Sequence, residues 1–298
     1  MGAQLRQIRQ RIRSVQSTAK ITRAQELIAS SRVGRARDRA LAAEPYSREI
    51  SRAVSVLVSH HLRIDHALLN ERPDTSRVAV LLLTSDRGFC GGYNHDVIRQ
   101  GQALTELKRG ERKEVTSYVV GSKGVDWHRF RDRELAGQWT GMSGHPDYAT
   151  AAEVGQLLIE AFDRPTRDGG VGEVHVVYTR FESMLTQRTT VHRILPMEVE
   201  VTAEESSGEG AIMAHYEFDP TPEEVLDELL RKYVRSRIWY MMLSSAASEW
   251  AARRTAMMSA TDNANDLIAR LTRQANEARQ EEITTEINEI VGGAEALK

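Results

Sequence analysis

One uninterrupted run of helix-forming residues constrains this chain more than any other feature. Between Pro222 and Gly292 lie 69 residues without glycine or proline, rich in Ala, Leu, Glu and Arg. Glycine and proline are the residues that most often end a helix, so their absence predicts one long helix. At about 1.5 Å per residue it would measure roughly 100 Å, whereas a domain of roughly 100 residues has a radius of gyration of about 13 Å. Most of this helix must therefore project from any compact domain.

Two apolar patterns, one at each end of the chain, predict that the terminal helices pair. Steps of four and three residues are typical of a coiled-coil seam, and in the C-terminal run they connect Ile283, Ile287, Ile290, Ala294 and Leu297. The segment 3–33 also lacks glycine and proline, and its seam consists of Leu5, Ile8, Ile12, Val15, Ala19 and Thr22. We expect the N-terminal helix to continue past Gly34 and to be disturbed at Pro45.

The middle of the chain alternates between strand and helix patterns. A continuous apolar run at 78–84 is typical of a buried parallel strand, and a helical stretch follows at 94–108. The pattern repeats with a strand at 117–121 and a short helix through Phe130. A helix at 149–162 then precedes strands at 173–179 and 187–195. This alternation predicts a small doubly wound, Rossmann-like α/β domain. The expected organisation is an N-terminal long helix at 1–65, the α/β domain at 76–218 and a C-terminal long helix at 219–298.

Charge is segregated along the chain although the net charge is only −2. Residues 1–60 hold twelve basic and four acidic side chains, a balance of +8, whereas residues 201–230 hold nine acidic and no basic ones. The longest apolar run has six residues, far short of the about 18 that a membrane span requires. The N-terminus has no apolar signal core, so we expect an unprocessed, cytosolic chain. The single cysteine, Cys90, excludes an internal disulfide.

Two glycine-containing loops lie where phosphate-binding loops occur, but neither has the Rossmann or the P-loop spacing. Tight structural turns are the better interpretation of their glycines, Gly88, Gly91, Gly92, Gly121 and Gly124. Cys90 is best interpreted as a buried structural thiol and Asp86–Arg87 as a local ion pair that fixes the turn. His60, His61 and His66 lack a carboxylate at metal-ligand spacing. The sequence thus predicts no catalytic constellation, no cofactor and no metal.

The basic N-terminal segment leaves three interpretations open. Lys and Arg arrays can neutralise nucleic-acid phosphates. The apolar seam through the same residues instead places the arginines on the outer faces of a coiled coil, where they either meet solvent or face an acidic protein surface. Two other classes of protein remain open at this point. One is a coiled-coil scaffold or nucleic-acid-binding protein with an α/β head, and the other is an enzyme that works through the central domain.

Five separated motifs resemble one family, the gamma subunit of the rotary F-type ATP synthase, over essentially the whole chain. The strongest match is the segment 283–296, with Ile-Thr, spaced acids and a closing Gly-Gly-Ala. The others are Lys20-Ile-Thr22, the loop 84–92, Gly121-Ser-Lys-Gly124 and Ala260-Thr-Asp-Asn263.

This resemblance implies a non-catalytic rotor shaft, in which the terminal helices form a long antiparallel coiled coil with the α/β domain inserted between them. The implied partners are the alpha and beta subunits of the catalytic collar, the epsilon subunit and the membrane c-ring, and no nucleic acid. Residues that correspond to collar-contacting positions are Lys20, Arg23, Gln25, Arg253, Arg254, Gln280 and Thr284. Phe218 and Asp219 match the segment near the membrane ring. The implied location is peripheral, at the cytoplasmic face of the cell membrane.

Two departures from the family pattern bear on origin and regulation. Gln25 stands where the family often has Met, and the inserted cysteine pair of the chloroplast form is absent. The resemblance therefore favours a bacterial origin without thiol regulation. The polar loop 164–172 is longer than expected, and we hypothesise that it contacts a neighbouring stator or ring subunit.

Overall fold

A computed structural model describes residues 3–60, 66–72, 75–197 and 222–295. Its elements are, in order, α1 (Ala3–His60), β1 (Arg77–Leu83), α2 (Tyr93–Gly110), β2 (Glu114–Val120), α3 (Ser122–Arg129), β3 (Gly137–Trp139), α4 (Tyr148–Asp163), a 3₁₀ turn (Thr166–Asp168), β4 (Glu173–Phe181), β5 (Gln187–Leu195) and α5 (Pro222–Glu295). Phe218, Asp219 and most of the acidic segment lie outside the described residues. Within the described ranges, no helix has the length and apolar character needed to cross a membrane.

The two long helices at the ends of the chain are confirmed. α5 runs for 74 residues and passes the glycines at 292 and 293. α1 runs for 58 residues, past Gly34 as predicted. The predicted disturbance at Pro45 is wrong, because the helix continues through it. A proline removes one backbone hydrogen bond and crowds the preceding turn, and a helix with packed residues on both sides can retain it.

Five strands form one sheet in the order β3-β2-β1-β4-β5. β1 pairs in parallel with β2 and β4, β2 pairs in parallel with β3, and β5 is antiparallel to β4. The chain steps outward from β1 to β3 and then crosses back to place β4 on the other side of β1, which is the doubly wound arrangement that was predicted. Sequence reasoning missed β3 because its three residues are too few to show a periodicity.

Alternate residues of β1 face two different cores, which explains the continuous apolar run. Ala79, Leu81 and Leu83 pack in a core that includes α4 and α5 residues. Val78, Val80 and Leu82 pack in a second core with Val97 and Leu104 of α2 and Val125 of α3. Both faces of the sheet are therefore covered by helices.

The chain divides into two compact units, and the first consists of residues 1–31 and 253–298. Here the seam predicted for α1 is confirmed: between positions 4 and 22 only Leu5, Ile8, Ile12, Val15, Ala19 and Thr22 are not exposed. In this unit, the buried positions of α5 are Arg253, Met257, Thr261, Ala264, Leu271 and Ala275.

The predicted pairing of the C-terminal seam with the N-terminal helix of this chain is wrong. The exposed fractions of Ile283, Ile287 and Ile290 are 45%, 54% and 71%. The Thr22 and Thr261 hydroxyl oxygens lie 2.8 Å apart, and α1 begins 19 residues before Thr22. In an antiparallel pair, α1 therefore has no residue opposite α5 positions beyond about 280. The isoleucine stripe follows the end of the pairing.

The second unit comprises residues 32–252 and contains the sheet. The first part of α5 belongs to its core, where Leu226, Leu230, Val234, Ile238 and Met241 are fully buried. These residues recur every three or four positions, so one stripe of the helix packs on the sheet domain. The glycine-free run thus supplies core residues as well as the helix of the first unit.

Candidate interaction surface

The basic side chains of α1 all point outward. Every Lys and Arg between positions 1 and 60 is exposed: Arg6, Arg9, Arg11, Arg13, Lys20, Arg23, Arg32, Arg35, Arg37, Arg39, Arg48 and Arg52. The placement follows from the seam, because burying an unpaired charge costs far more than burying a methyl group. The helix therefore presents a cationic surface, as the sequence predicted.

Most residues matched to collar contacts have accessible side chains. Lys20, Gln25, Gln280 and Thr284 are exposed, and Arg254 is partly buried. The Thr284 hydroxyl donates a hydrogen bond of 2.9 Å to the Gln280 carbonyl oxygen of its own helix. This bond satisfies the hydroxyl proton within the helix and leaves the side chains of both residues on the surface.

Two of the arginines matched to collar contacts, Arg23 and Arg253, differ from the others in their surroundings. The Arg23 guanidinium donates to both Glu26 carboxylate oxygens, at 2.9 and 2.8 Å. Because Glu26 is buried, this contact compensates a carboxylate that would otherwise be costly. Arg253 is 4% exposed and lies on the buried face of α5. The structure thus separates Arg253 from the other matched residues, which are accessible.

The threonine of the Lys20-Ile-Thr22 motif joins the two helices of the first unit. The Thr261 hydroxyl donates to the Thr22 hydroxyl oxygen at 2.8 Å, and Thr22 donates to the Ala19 carbonyl oxygen at 3.1 Å. Both threonines are buried, so each polar group has its partner inside the pair. The motif that supported the family resemblance therefore fixes how the helices meet.

In the second unit, the loops after β1, β2 and β3 are joined through Asp86. Its carboxylate accepts hydrogen bonds from the Ser122 N–H and hydroxyl, both at 3.0 Å, and from the Ser143 N–H at 2.8 Å. Burial opposes ionisation, but N–H donors from Gly141, Ser143 and Ser122 hold the pKa of Asp86 below its ordinary value. Asp86 does fix the turn, but through these donors instead of the predicted Arg87 guanidinium.

The same hydrogen bonds help to explain why neither glycine-containing loop forms a phosphate-binding site. At the start of α3 the N–H groups of Ser122, Lys123 and Gly124 already donate to Asp86, Ser85 and Thr84. An anion site at a helix N-terminus requires such groups to point at a ligand. At α2, Asp96 lies in the first turn, where its charge disfavours a phosphate. The loops hold each other together instead.

The predicted structural glycines fall into three groups. Gly91 and Gly121 adopt positive φ angles of 57° and 98°. A Cβ on Gly121 would lie 2.2 Å from the Thr84 carbonyl oxygen, and one on Gly124 would lie 2.6 Å from a Val119 methyl carbon. Gly92 is the residue before α2, and Gly88 has open space around it. A side chain is thus excluded most strongly at Gly121, by both conformation and contact.

The burial of Cys90 was predicted from the sequence, whereas the partner of His66 was not. Cys90 is buried, as predicted, and the Asn94 side-chain amide nitrogen lies 3.3 Å from its sulfur. His66 is partly buried, and its Nε2 lies 3.1 Å from an Asp227 carboxylate oxygen, a partner 161 residues away. His60 has no described side chain and His61 lies outside the described residues. Across the described ranges, no group of three or more potential ligands could hold a metal ion.

A partly buried ion cluster around Glu173 was missed. Glu173, at the start of β4, contacts the Lys113 ammonium, the Lys108 ammonium at 2.8 Å and the His175 Nε2 at 2.7 Å. Burial opposes ionisation, yet Lys108, Lys113 and His175 lower the pKa of Glu173 to about 2. Burial lowers the pKa of His175, against the opposing effect of the Glu173 carboxylate. Nothing in the local sequence brings these residues together, because they come from separate elements.

The fold and surface define a class: a stalk-type subunit in which an α/β domain is inserted between two long helices whose far segments pair. The family described as ATP synthase matches residues 4–297. The ATP synthase gamma chain of Acidothermus cellulolyticus is 54% identical over 297 residues, covering 100% of this chain and 98% of the relative. That of Thermobifida fusca is 51% identical over 298 residues, covering 100% and 97%.

A solved structure of the Euglena gracilis mitochondrial ATP synthase rotor is similar in fold, with a TM-score of 0.64 at 17% identity, covering 95% of this chain and 100% of that one. The full-length identities place this chain within a single family. The protein belongs to the family of ATP synthase gamma chains.

Proposed function

We propose that this chain is the central rotor shaft of a proton-translocating ATP synthase. In this role it transmits rotation of a membrane ring to a catalytic collar of alpha and beta subunits and couples proton flow to ATP synthesis. The observation that carries the proposal is the 54% identity, over the full length, to a bacterial ATP synthase gamma chain. The shaft itself supplies no catalytic group, and ATP is made at sites on its partners.

The mechanism that we propose is differential contact between shaft and collar. An asymmetric shaft inside a collar of repeated subunits contacts each catalytic site differently. The nucleotide affinity therefore differs from one catalytic site to the next. Rotation changes which site receives which contact. The coupling free energy comes from contacts that differ between states, so the residues that touch the collar must be accessible on the shaft.

We assign the parts of the chain as follows. Residues 1–65 and 219–298 serve as the shaft, and residues 76–218 serve as a head that binds the epsilon subunit and the c-ring near Phe218 and Asp219. The protein would then be peripheral to the cytoplasmic face of the membrane. Collar contacts would come from Lys20, Arg23, Gln25, Arg254, Gln280 and Thr284. Arg253, which is buried, would act by holding the neighbouring helix surface in position.

The exposed end of α5 is a surface that suits such a collar. Beyond its paired length, α5 carries Gln280 and Thr284 beside the exposed Ile283, Ile287 and Ile290. Apolar side chains in such a row need a partner to be removed from water. The surface of the collar that contacts the end of α5 would supply that partner.

A matched pair of double variants tests the collar contact in the assembled synthase. Gln280→Ala with Thr284→Ala removes two proposed contacts, whereas Gln274→Ala with Thr272→Ala removes the same residue types from the exposed face of α5 within the paired region. Thr272 and Thr284 each donate to a carbonyl oxygen four residues earlier, at 2.8 and 2.9 Å, so the local cost is the same. We expect only the first variant to lower proton-driven ATP synthesis relative to ATP hydrolysis.

Equal coupling in the two variants would contradict the contact at 280–284. The proposal as a whole is tested by co-purification. A stable complex with two larger ATPase-type subunits supports it. Duplex DNA binding with a steep salt dependence, in the absence of such a complex, would instead support the nucleic-acid alternative.

A further inference from the structure

A cavity of about 200 Å³ lies on the face of the sheet that α2 and α3 cover. Residues of β1 and β2, of α2 and α3, and of the segment that follows α3 line it. All of these elements belong to the second unit, so the cavity is a feature of one compact body. It is separate from the loops and surfaces discussed so far, and we call it the α2–α3 pocket.

One part of the lining of the α2–α3 pocket is apolar. Val80 and Leu82 of β1 are buried in the second core, and Ile98 of α2 is 9% exposed. Val115 of β2 and Trp127 of α3 are partly buried and also line the pocket. Apolar and aromatic side chains line most small-molecule sites, where they remove the body of a ligand from water. This part of the pocket therefore favours a ligand with an apolar ring.

A buried histidine supplies an acceptor in the lining. His128 is 3% exposed. Its Nδ1 lies 2.9 Å from the Gly124 carbonyl oxygen, which can only accept, so Nδ1 carries a proton and donates. Burial lowers the pKa of His128, against the opposing effect of this hydrogen bond, and so favours the neutral ring. In the neutral ring with a proton on Nδ1, Nε2 is an acceptor.

The Nε2 atom of His128 accepts no hydrogen bond from the part of the chain that the structure describes. A buried acceptor without a donor costs free energy, and most buried polar atoms have a partner. The side chains of Gln102 and Ser117, which also line the pocket, likewise have no partner among the described residues. An O–H or N–H group of a molecule in the pocket would satisfy Nε2.

The aromatic side of the pocket is held in place by contacts within the second unit. The Trp127 and His128 rings meet edge to face, with their centres 4.9 Å apart and an angle of 72° between their planes. The guanidinium carbons of Arg131 and Arg133 lie 4.3 and 5.0 Å from the centre of the Trp127 ring, which are cation–π distances. Side chains that are already oriented lose less conformational entropy when they bind a ligand. The pocket is thus organised before a ligand enters.

We propose that the α2–α3 pocket binds a small, uncharged aromatic molecule that donates an O–H or N–H hydrogen bond to His128 Nε2. Its ring would lie against Ile98 and Trp127. The volume is below the about 300–1,000 Å³ typical of sites for larger ligands, which favours a single ring. The exposed residues of the lining include both Arg133 and Glu134, so the pocket does not select one sign of charge. The proposal does not depend on the rotor function, since it rests on residues of the second unit alone.

Methyl NMR on the full chain, labelled at its isoleucine side chains, tests the proposal with phenol and toluene as matched probes. The two molecules have nearly the same shape, and only phenol has a donor. We expect saturable shifts of the Ile98 methyl signals on addition of phenol, whereas those of Ile159, which is fully buried in the other core, should not shift. His128→Phe keeps a ring but removes the acceptor. It should lower the ratio of phenol affinity to toluene affinity about three- to tenfold, the contribution of one hydrogen bond between neutral groups.

His95→Phe is the matched control, because His95 is exposed on α2 and does not line the pocket. Its substitution should leave the ratio of affinities within about twofold. Ser117→Val tests the site independently of His128. It adds a methyl group to the lining from β2, where a branched side chain suits a strand, and should weaken the binding of both probes.

Three results would overturn the proposal. They are the absence of saturable phenol binding at Ile98, an equal change of the affinity ratio in His128→Phe and His95→Phe, and unchanged binding of both probes in Ser117→Val. The Ile159 methyl signals, at the same position in each variant as in the unmodified chain, verify that the sheet domain is folded.

Discussion

The partly buried carboxylate of Glu173 should make a measurable, pH-dependent contribution to stability. Its side chain is 14% exposed and contacts two ammonium groups and the His175 imidazole. Their combined effect lowers the pKa from 4.5 to about 2, although burial alone would raise it. At about 1.4 kcal/mol per pKa unit, this shift corresponds to about 3 kcal/mol. Removing one partner of a buried ion pair typically costs a similar amount.

The direction of the pH dependence follows from the lowered pKa. The folded state holds the ionised carboxylate more favourably than the unfolded state does, so the contribution is complete above pH 4.5 and is lost as the pH falls toward 2. Glu173→Gln should therefore lower the free energy of unfolding by about 3 kcal/mol at pH 7. The difference between the two proteins should shrink steadily between pH 4.5 and about 2.

Urea unfolding followed by tryptophan fluorescence suits this measurement. All four tryptophans, at positions 127, 139, 239 and 250, lie in the second unit, which contains the cluster. Glu111→Gln is the control, because Glu111 contacts the same Lys108 and Lys113 at 3.0 and 3.4 Å but from an exposed position. It should change stability far less. A pH-independent loss in Glu173→Gln, or an equal loss in the control, would refute the reasoning.

Three further predictions use the same unfolding assay. Thr84→Val should cost about 1–3 kcal/mol, because the buried hydroxyl donates to the Val120 carbonyl oxygen at 2.8 Å and accepts from the Gly124 N–H; unchanged stability would show that these bonds contribute nothing net. Gly121→Ala should cost about 2 kcal/mol or more through strain, whereas Gly88→Ala should be nearly neutral, and similar values for the two would contradict the steric explanation. Pro45→Ala should raise the free energy of unfolding by up to about 3 kcal/mol, since an interior helical proline is unfavourable; a destabilised variant would mean that Pro45 makes contacts outweighing that cost.

Much of the fold could be predicted because its elements follow from local patterns. The strand at 77–83 is a continuous apolar run and the helix at 148–163 has the apolar spacing of a helix, and both have lengths typical of their type. The three-residue strand β3 could not be found, because so short an element exists only through its pairing with β2. Pro45 was misjudged because a local rule was applied to a helix that is held by packing along its length.

Only part of the interaction surface could be predicted from the sequence. The outward direction of the arginines on α1 follows from the seam, which is visible in the sequence. The burial of Arg253 could not be read in this way, because it depends on which face of α5 meets α1. The position of the isoleucine stripe beyond the paired length depends on the register between two segments about 240 residues apart, and helical spacing alone carries no information about register.

The sequence by itself determined the elements of this protein: two long terminal helices, an α/β domain between them, a basic outer face and the family. These follow from periodicity, from the absence of helix breakers and from motifs, all of which are local. The tertiary structure alone decided where the helices stop pairing, which loops Asp86 joins, how Glu173 gathers its lysines and which residues share a cavity with His128. These features depend on contacts between residues far apart in the chain, and such contacts form only when the elements that carry the residues are packed together.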